Sequence, residues 1–269
     1  MYTLGYAMER PVMAYDGTIA VVGCGGTGSL VAEGLCRLLQ PDPEIRLLLV
    51  DHDRVEPHNL LRQAFYKADV GRFKAEALAE RLAKLFERPI GYSVQEFSRN
   101  SYNSSLLARA GIVVGCVDNA MARAEIGNGM RPPCWWVDAG NAENWGQVLV
   151  GNASSPEQMR RAFDPAKGIC RALPMPSVQR PELLLPAASA ITALDCAQAV
   201  QVGDQSQVIN QAMAALVLEV VRRIISHTCP WMALYLELQR GELRSVAATP
   251  TNAARVFGLR KNQVMDNRR

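Results

Sequence analysis

The stretch "AVVGCGGTGSLVAEGLCRLL", residues 20–39, places four glycines within six positions and then continues as an amphipathic run. Few folds accommodate such a stretch. The segment "GTIAVVGC" at 17–24 is apolar and bounded by glycine, as a strand should be. The run after it carries apolar residues at 30, 31, 35, 38 and 39, one face of a helix that Pro41 and Pro43 end. Gly23, Gly25 and Gly28 therefore fit a G-x-G-x-x-G pattern between strand and helix. Missing side chains there let the backbone approach a phosphate, which the N–H groups of the helix start then hold, and Gly26 adds room. No Gly-Lys-Ser/Thr follows, so this is not a P-loop. The glycines alone admit a dinucleotide, a nucleoside triphosphate or a turn that is merely glycine-rich.

Downstream, strands and helices alternate. "IRLLLVDHD" at 45–53 has the continuous apolar run of a parallel strand covered on both faces, and a helix is expected over 72–86. "GYSVQEF" and "GIVVGCVDN" are third and fourth strands, and "CWWVDAGNAENWGQVLVG" supplies two more. This order predicts an α/β protein: a Rossmann-like, open, mostly parallel sheet with helices on both faces and a C-terminal helical and hairpin elaboration. Between 152 and 188 the periodicity dissolves around Pro156, Pro165, Pro174, Pro176, Pro181 and Pro186, an irregular crossover of the kind that forms lids or stays disordered. "AASAITALDCAQAV" and "QVINQAMAALVLEVVRRII" then read as helices, and "WMALYLELQRGELRSVAAT" as a hairpin turning at Gly241. The expected division is a core over 1–151, the crossover over 152–188, and 189–269 completing the same domain.

Composition narrows the function classes. Of 269 residues, 49% are hydrophobic and 20% charged, and the net charge of +3 is too small to name a partner. Residues 220–269 carry 9 basic and 3 acidic side chains, a tail that either is solvated and frayed or meets an acidic surface or nucleic acid. No helix-turn-helix or zinc-finger pattern supports base reading. No signal-peptide pattern or membrane-length apolar run is visible, and seven dispersed cysteines without a Cys-x-x-Cys pair fit a reducing cytoplasm.

The chemistry lies after the second strand. Asp51 ends it where an acidic residue would bond ribose hydroxyls, which a nicotinamide enzyme would share. The block that follows, "DHDRVEPHNLLRQAF", brings Asp53, Glu56, His58, Asn59, Arg62 and Gln63, and Lys74 opens the next helix. Hydride transfer needs no such cation pair. Phosphoryl or nucleotidyl transfer does, because negative charge develops between an α-phosphate and departing pyrophosphate, and Arg62 and Lys74 are placed to hold it. Asp118 in "GCVDN" sits at another strand's carboxyl end. It would recruit Mg²⁺ beside a triphosphate, or with Asn119 it would cap the helix starting near Ala120.

Together, "VVGCGGTGS", "LVDHDRVEPHNLLRQ", "VGRFK" and "CVDN" resemble the adenylating domain of the E1-like family, the ThiF, MoeB and ubiquitin-activating type, over roughly residues 15–150. The later "DCAQAV" and "QSQVINQ" are similar to the plasmid-associated PRTRC-system branch of ThiF-related proteins. The resemblance implies ATP-dependent adenylation of the C-terminal carboxylate of a small ubiquitin-like or sulfur-carrier protein, with release of pyrophosphate. It implies that Asp51 binds ribose, that Asn59, Arg62 and Lys74 reach the phosphates, and that Asp118 holds Mg²⁺. It also implies a homodimer in which Arg10 of a second copy enters the site.

Departures from the family pattern matter as well. Many relatives hold zinc with two Cys-x-x-Cys pairs; this chain has none, so a structural zinc is not expected. Cys170, in the crossover, and Cys196, at a helix start, are either acceptors of the activated carboxylate or inert packing residues. Cys24, Cys36 and Cys116 read as core. Trp135, Trp136 and Trp145 either line a groove or pack; His52 and His58 read as solvent-side or packing residues rather than metal ligands; His227 precedes the Cys229–Pro230 break; "MARAEIGN" reads as an amphipathic helix. Two other functions compete: a nicotinamide oxidoreductase, disfavoured by Arg62 and Lys74, and a catalytically silent ATP-binding scaffold of the same fold.

Overall fold

The computed structural model describes residues 6–9, 17–95, 110–130, 133–185 and 207–266. Its strands are β1 (Ala7–Met8), β2 (Thr18–Val22), β3 (Arg46–Val50), β4 (Ile90–Ser93), β5 (Ala110–Gly115), β6 (Trp135–Asn141), β7 (Trp145–Gly151), β8 (Phe163–Asp164), β9 (Ile169–Cys170), β10 (Trp231–Glu237) and β11 (Glu242–Ala247). The helices are α1 (Gly26–Leu38), α2 (Lys74–Phe86), α3 (Ala120–Gly129), α4 (Pro176–Gln179), α5 (Gln207–Ile225) and α6 (Pro250–Val256).

Eight strands form one sheet in the order β11-β10-β7-β6-β5-β2-β3-β4. From β4 to β6 every pairing is parallel; β7, β10 and β11 are added antiparallel. The apolar runs explain this: Ile19, Val21, Leu47, Leu49, Ile112 and Val114 are all buried on one face, while Ala20, Val22, Val50 and Val113 are buried on the other. A sheet covered on both sides is what continuous apolar strands require. Helices α1, α2 and α5 cover the first face, and α3 and α4 cover the second. In α1, Val31, Ala32, Leu35 and Cys36 are fully buried, and Gly34 lets α5 come close enough that Leu218 fills the space a side chain would take. Each such fully buried Val or Leu contributes about 1.5–3 kcal/mol relative to exposure.

The crossover is more ordered than its prolines suggest. Up to residue 185 it holds β8, β9, α4 and short 3₁₀ turns, and β9 pairs with both β8 and β1 in a small three-stranded sheet. Pro176 and Pro181 stand in the first turns of their helical segments, where a missing N–H costs nothing. Asn152, 1% exposed, staples the segment by donating to the Arg171 carbonyl at 3.1 Å and accepting from the Leu173 N–H at 3.0 Å. The C-terminal part differs from a frayed tail too: the Phe163 N–H donates to the Val264 carbonyl at 3.1 Å, and Val264 is fully buried. Arg255, Arg260 and Lys261 remain exposed. The segment "AASAITALDCAQAV" lies outside the described residues. No described helix is long and apolar enough to cross a membrane.

The turn between β2 and α1 tolerates little change. Gly23 has φ +89°, and a Cβ on Gly28 would fall on the carbonyl oxygen of Gly23. The expected outcome for Gly28→Ala is a loss of about 3 kcal/mol or more, at the upper end for overpacked sites, read as a lowered urea midpoint.

Candidate functional site

Chain direction creates the site. From β2 the chain moves outward through β3 to β4, then returns to β5 on the other side of β2. The loops leaving β2 and β5 therefore part from each other, and open sheets bind ligands in the crevice so formed. A cleft of about 460 Å³ lies there, bordered by Gly23–Gly26 on one side and Cys116–Asn119 on the other. Gly23, Gly25, Gly26, Asp51, Asp53, Arg62, Gln63, Lys74 and Asp118 all line it. Gly28 and Asn59 stand behind the wall: the first closes the turn, and the second, 4% exposed, accepts the Glu56 N–H at 3.0 Å inside a 3₁₀ turn.

Residue Gly25 caps α1 without any side-chain hydrogen bond, so the first turn presents its N–H groups to the cleft. Beside it, both oxygens of Asp51 are already engaged: Oδ2 accepts the Cys24 N–H at 2.6 Å and Oδ1 the Asp53 N–H at 2.8 Å. Burial pushes the Asp51 carboxyl above the usual range, while those N–H groups and the Lys74 ammonium pull it back. Each oxygen keeps a second lone pair for a hydroxyl donor. Lys74, the first residue of α2, is 8% exposed, and its Nζ lies 2.9 Å from Asp53 Oδ2.

Arg62 and Gln63 sit on a segment with no regular structure, and side chains from three helices fix it. Ser29 of α1 accepts the Ala64 N–H at 3.2 Å. Arg81 of α2 donates to the Ala64 carbonyl and pairs with Asp69 at 2.6 Å. From α5, Gln207 donates to the Leu61 carbonyl and Asn210 to that of Arg62, the latter at 3.4 Å. Asn210 is fully buried, and its Oδ1 also accepts from Thr27 Oγ1 at 3.3 Å and Asn141 Nδ2 at 3.1 Å. A side chain on Gly26 would strike it. Asn210 was not visible as a site residue in the sequence, where its one signal is polarity inside an apolar helix.

Across the cleft, Asn119 caps α3 by accepting the Ala122 N–H at 2.8 Å, which leaves Asp118 exposed on the cleft margin. The helix "MARAEIGN" does more than present an amphipathic face. Its Arg123 is 6% exposed, pairs with fully buried Asp138 at 3.2 Å and donates to the Val117 carbonyl at 2.7 Å, fixing the β5 loop. Burial raises the Asp138 carboxyl and Arg123 opposes that rise. Trp145 lines the cleft, whereas Trp135 and Trp136 are core residues. His52 and His58 are exposed. Cys24 and Cys36 are buried, and Cys116 is half-buried on the cleft floor. Cys170 is fully buried on β9, away from the cleft, with its thiol pushed well up by burial. Arg10 and Cys196 lie outside the described residues.

The arrangement suits a polyphosphate: uncapped helix N–H groups, an arginine and a buried lysine on one wall, and a carboxylate at the rim. Among the described residues no three His, Cys, Asp or Glu side chains gather around a common point. Exposed Asp118 is a carboxylate that could hold Mg²⁺ together with ligand oxygens. Replacing Asn210 by alanine removes the acceptor of the Asn141 amide and the donor to the Arg62 carbonyl, and leaves the Thr27 hydroxyl with Asn141 Oδ1 at 3.2 Å. The expected loss is about 2–3 kcal/mol in urea unfolding.

Several known proteins are similar to this chain. Ubiquitin-like modifier-activating enzyme 5 of Drosophila pseudoobscura pseudoobscura is 32% identical over 144 residues, 48% of this chain and 35% of that protein. The same enzyme of Branchiostoma floridae is 31% identical over 148 residues, 48% of this chain and 34% of that protein. The chain thus spans about a third of the length of these curated relatives. Among solved structures, selenomethionine PaaA superposes with a TM-score of 0.62 at 18% identity, covering 88% of this chain and 74% of that one. Escherichia coli MccB with ATP gives a TM-score of 0.58 at 18% identity, covering 88% and 65%. These two likenesses concern the fold. The ThiF family profile matches residues 14–236, and the chain belongs to the ThiF family.

Proposed function

We propose that the chain is an ATP-dependent adenylating enzyme that activates the C-terminal carboxylate of a small ubiquitin-like or sulfur-carrier protein. The observation that carries this reading is the gathering of Arg62, Lys74, Asp51 and Asp118 around one cleft, beside the uncapped start of α1. The names of the relatives support it: one activates a ubiquitin-like modifier, and MccB was solved with ATP.

In this proposal the glycine turn and the α1 N–H groups hold phosphate oxygens, and Asp51 accepts ribose hydroxyls. The carrier's ionised carboxylate attacks the α-phosphorus, the bond to the bridging oxygen of the β-phosphate breaks, and pyrophosphate leaves. No enzyme base is needed, because the nucleophile has no proton to lose. Arg62 and Lys74 neutralise charge that grows on the departing group, and the protein otherwise acts by positioning. When bound, Mg²⁺ at Asp118 would neutralise phosphate charge. Cys170 has no place in this step. Arg10 enters only as a residue supplied by a second copy, on the strength of the family resemblance. The PRTRC branch rests on "DCAQAV" and "QSQVINQ" alone, and a cytoplasmic setting on cysteine usage.

Two measurements test the proposal. Carrier-dependent exchange of pyrophosphate into ATP should occur, and Arg62→Ala and Lys74→Ala should each lower it by about 10²–10³-fold. ATP binding without exchange for any carrier would favour the silent scaffold. The second test uses pH. Because Asp51 is raised above the usual carboxylate range, its acceptor form disappears at a higher pH than an ordinary aspartate's, so nucleotide affinity should fall early on acidification. Stability has the opposite sign: a raised carboxyl favours the fold most at low pH, and that contribution is lost as pH rises through its folded value. Asp51→Asn should flatten both dependences.

A further inference from the structure

A second hollow, of about 510 Å³, opens between the crossover and the C-terminal segment, and it shares no lining residue with the cleft. Backbone bonds build it. The Phe163 N–H donates to the Val264 carbonyl at 3.1 Å and the Asp266 N–H to the Phe163 carbonyl at 2.7 Å, which sets residues 156–161 beside the 3₁₀ turn at Lys261–Gln263. Leu259 and Met265, both half-buried, give the hollow apolar walls. Arg160 and Arg161, both exposed, stand at its mouth. Arg260 and Lys261 are exposed on the turn that Leu259 and Gln263 bracket.

The charge here has one sign and is not spent internally. Among the described residues no ion pair engages Arg161, Arg260 or Lys261. The acidic groups nearby are already held: the Ser155 hydroxyl and its own N–H keep the Glu157 carboxyl below the usual range, with Arg160 adding to this, and Asp266 lies buried 3.7 Å from Arg171. Arg161 also has φ +61°, in the left-handed region that glycine accepts and other side chains disfavour. Strain of this kind clusters at ligand clamps, and here it fixes the backbone of an arginine at the mouth of the hollow. Guanidinium forks match phosphate and carboxylate alike, so the walls decide between them. A phosphate backbone would leave Leu259 and Met265 uncovered, and among the described residues no aromatic ring lines the hollow for a base to stack on.

We infer that this hollow docks a short acidic peptide segment of a partner protein. An aliphatic side chain of the segment covers Leu259 and Met265, and carboxylates on either side of it pair with Arg160, Arg161 and the Arg260–Lys261 turn. No residue of the cleft takes part, so docking here and adenylation are separable.

The test uses an N-terminally fluorescein-labelled peptide amide, Glu-Glu-Leu-Leu-Glu-Glu, and the same peptide with both leucines replaced by glycine. Fluorescence anisotropy reports binding to the full chain at low ionic strength, where exposed charges are screened least. The expected result is saturable binding that weakens about tenfold in the glycine peptide and about fivefold in Arg161→Gly. Lys84→Ala, which removes one charge from an exposed position on α2, should bind as the unaltered protein does. Equal affinity for the two peptides, an equal loss in Lys84→Ala, or absence of saturation overturns the inference. So does tighter binding of a short mixed-sequence DNA duplex that Arg161→Gly weakens, which would make the hollow a nucleic-acid surface. Glycine takes a positive φ freely, so Arg161→Gly should fold. Should it fail to, Arg160→Ala with the same two peptides decides.

Discussion

The carboxamide of Asn210 is where the two halves of the cleft wall meet. The segment bearing Arg62 has no helix or strand to satisfy its backbone groups, so side chains must do it. Ser29, Arg81, Gln207 and Asn210 supply those bonds from three different helices. Asn210 also bonds the first turn of α1 through Thr27 and the end of β6 through Asn141. The position of the arginine relative to the glycine turn is thus set by a residue far away in sequence. The close α1–α5 crossing at Gly34 and Leu218 holds that residue in place.

Much of this architecture is legible in local pattern. Apolar runs with no polar alternation announce strands covered on both faces, and the glycine turn announces the first crossover. The nine singled-out residues that line the cleft all sit in or beside motif blocks, at the carboxyl ends of strands or in the turns and helix starts that follow them. Asn119 as a cap and Gly241 in a hairpin turn, with φ +63°, are local features as well.

What escaped the sequence is non-local. Arg123 and Asp138 are 15 positions apart and reside on different elements, and a helix pattern gives no sign that one arginine turns inward. Asn152 ties residues 152–185 together by reaching Arg171 and Leu173, while two of the prolines that suggested irregularity, Pro176 and Pro181, start helical turns. Cys170 illustrates the reverse case. A cysteine in a crossover invites a chemical role, yet here it packs beneath a small sheet, in surroundings that disfavour its thiolate.

That small sheet has a consequence for the order in which the protein is made. Ala7 and Met8 are synthesised long before their ladder partners, Ile169 and Cys170. The parallel core from β2 to β6 can assemble earlier, from shorter-range pairings, whereas β1 must wait for a loop of more than half the chain to close. Long-range pairings of this kind come late and leave their strands exposed meanwhile. The β1 strand can therefore join its sheet only after the crossover strand β9 exists to receive it.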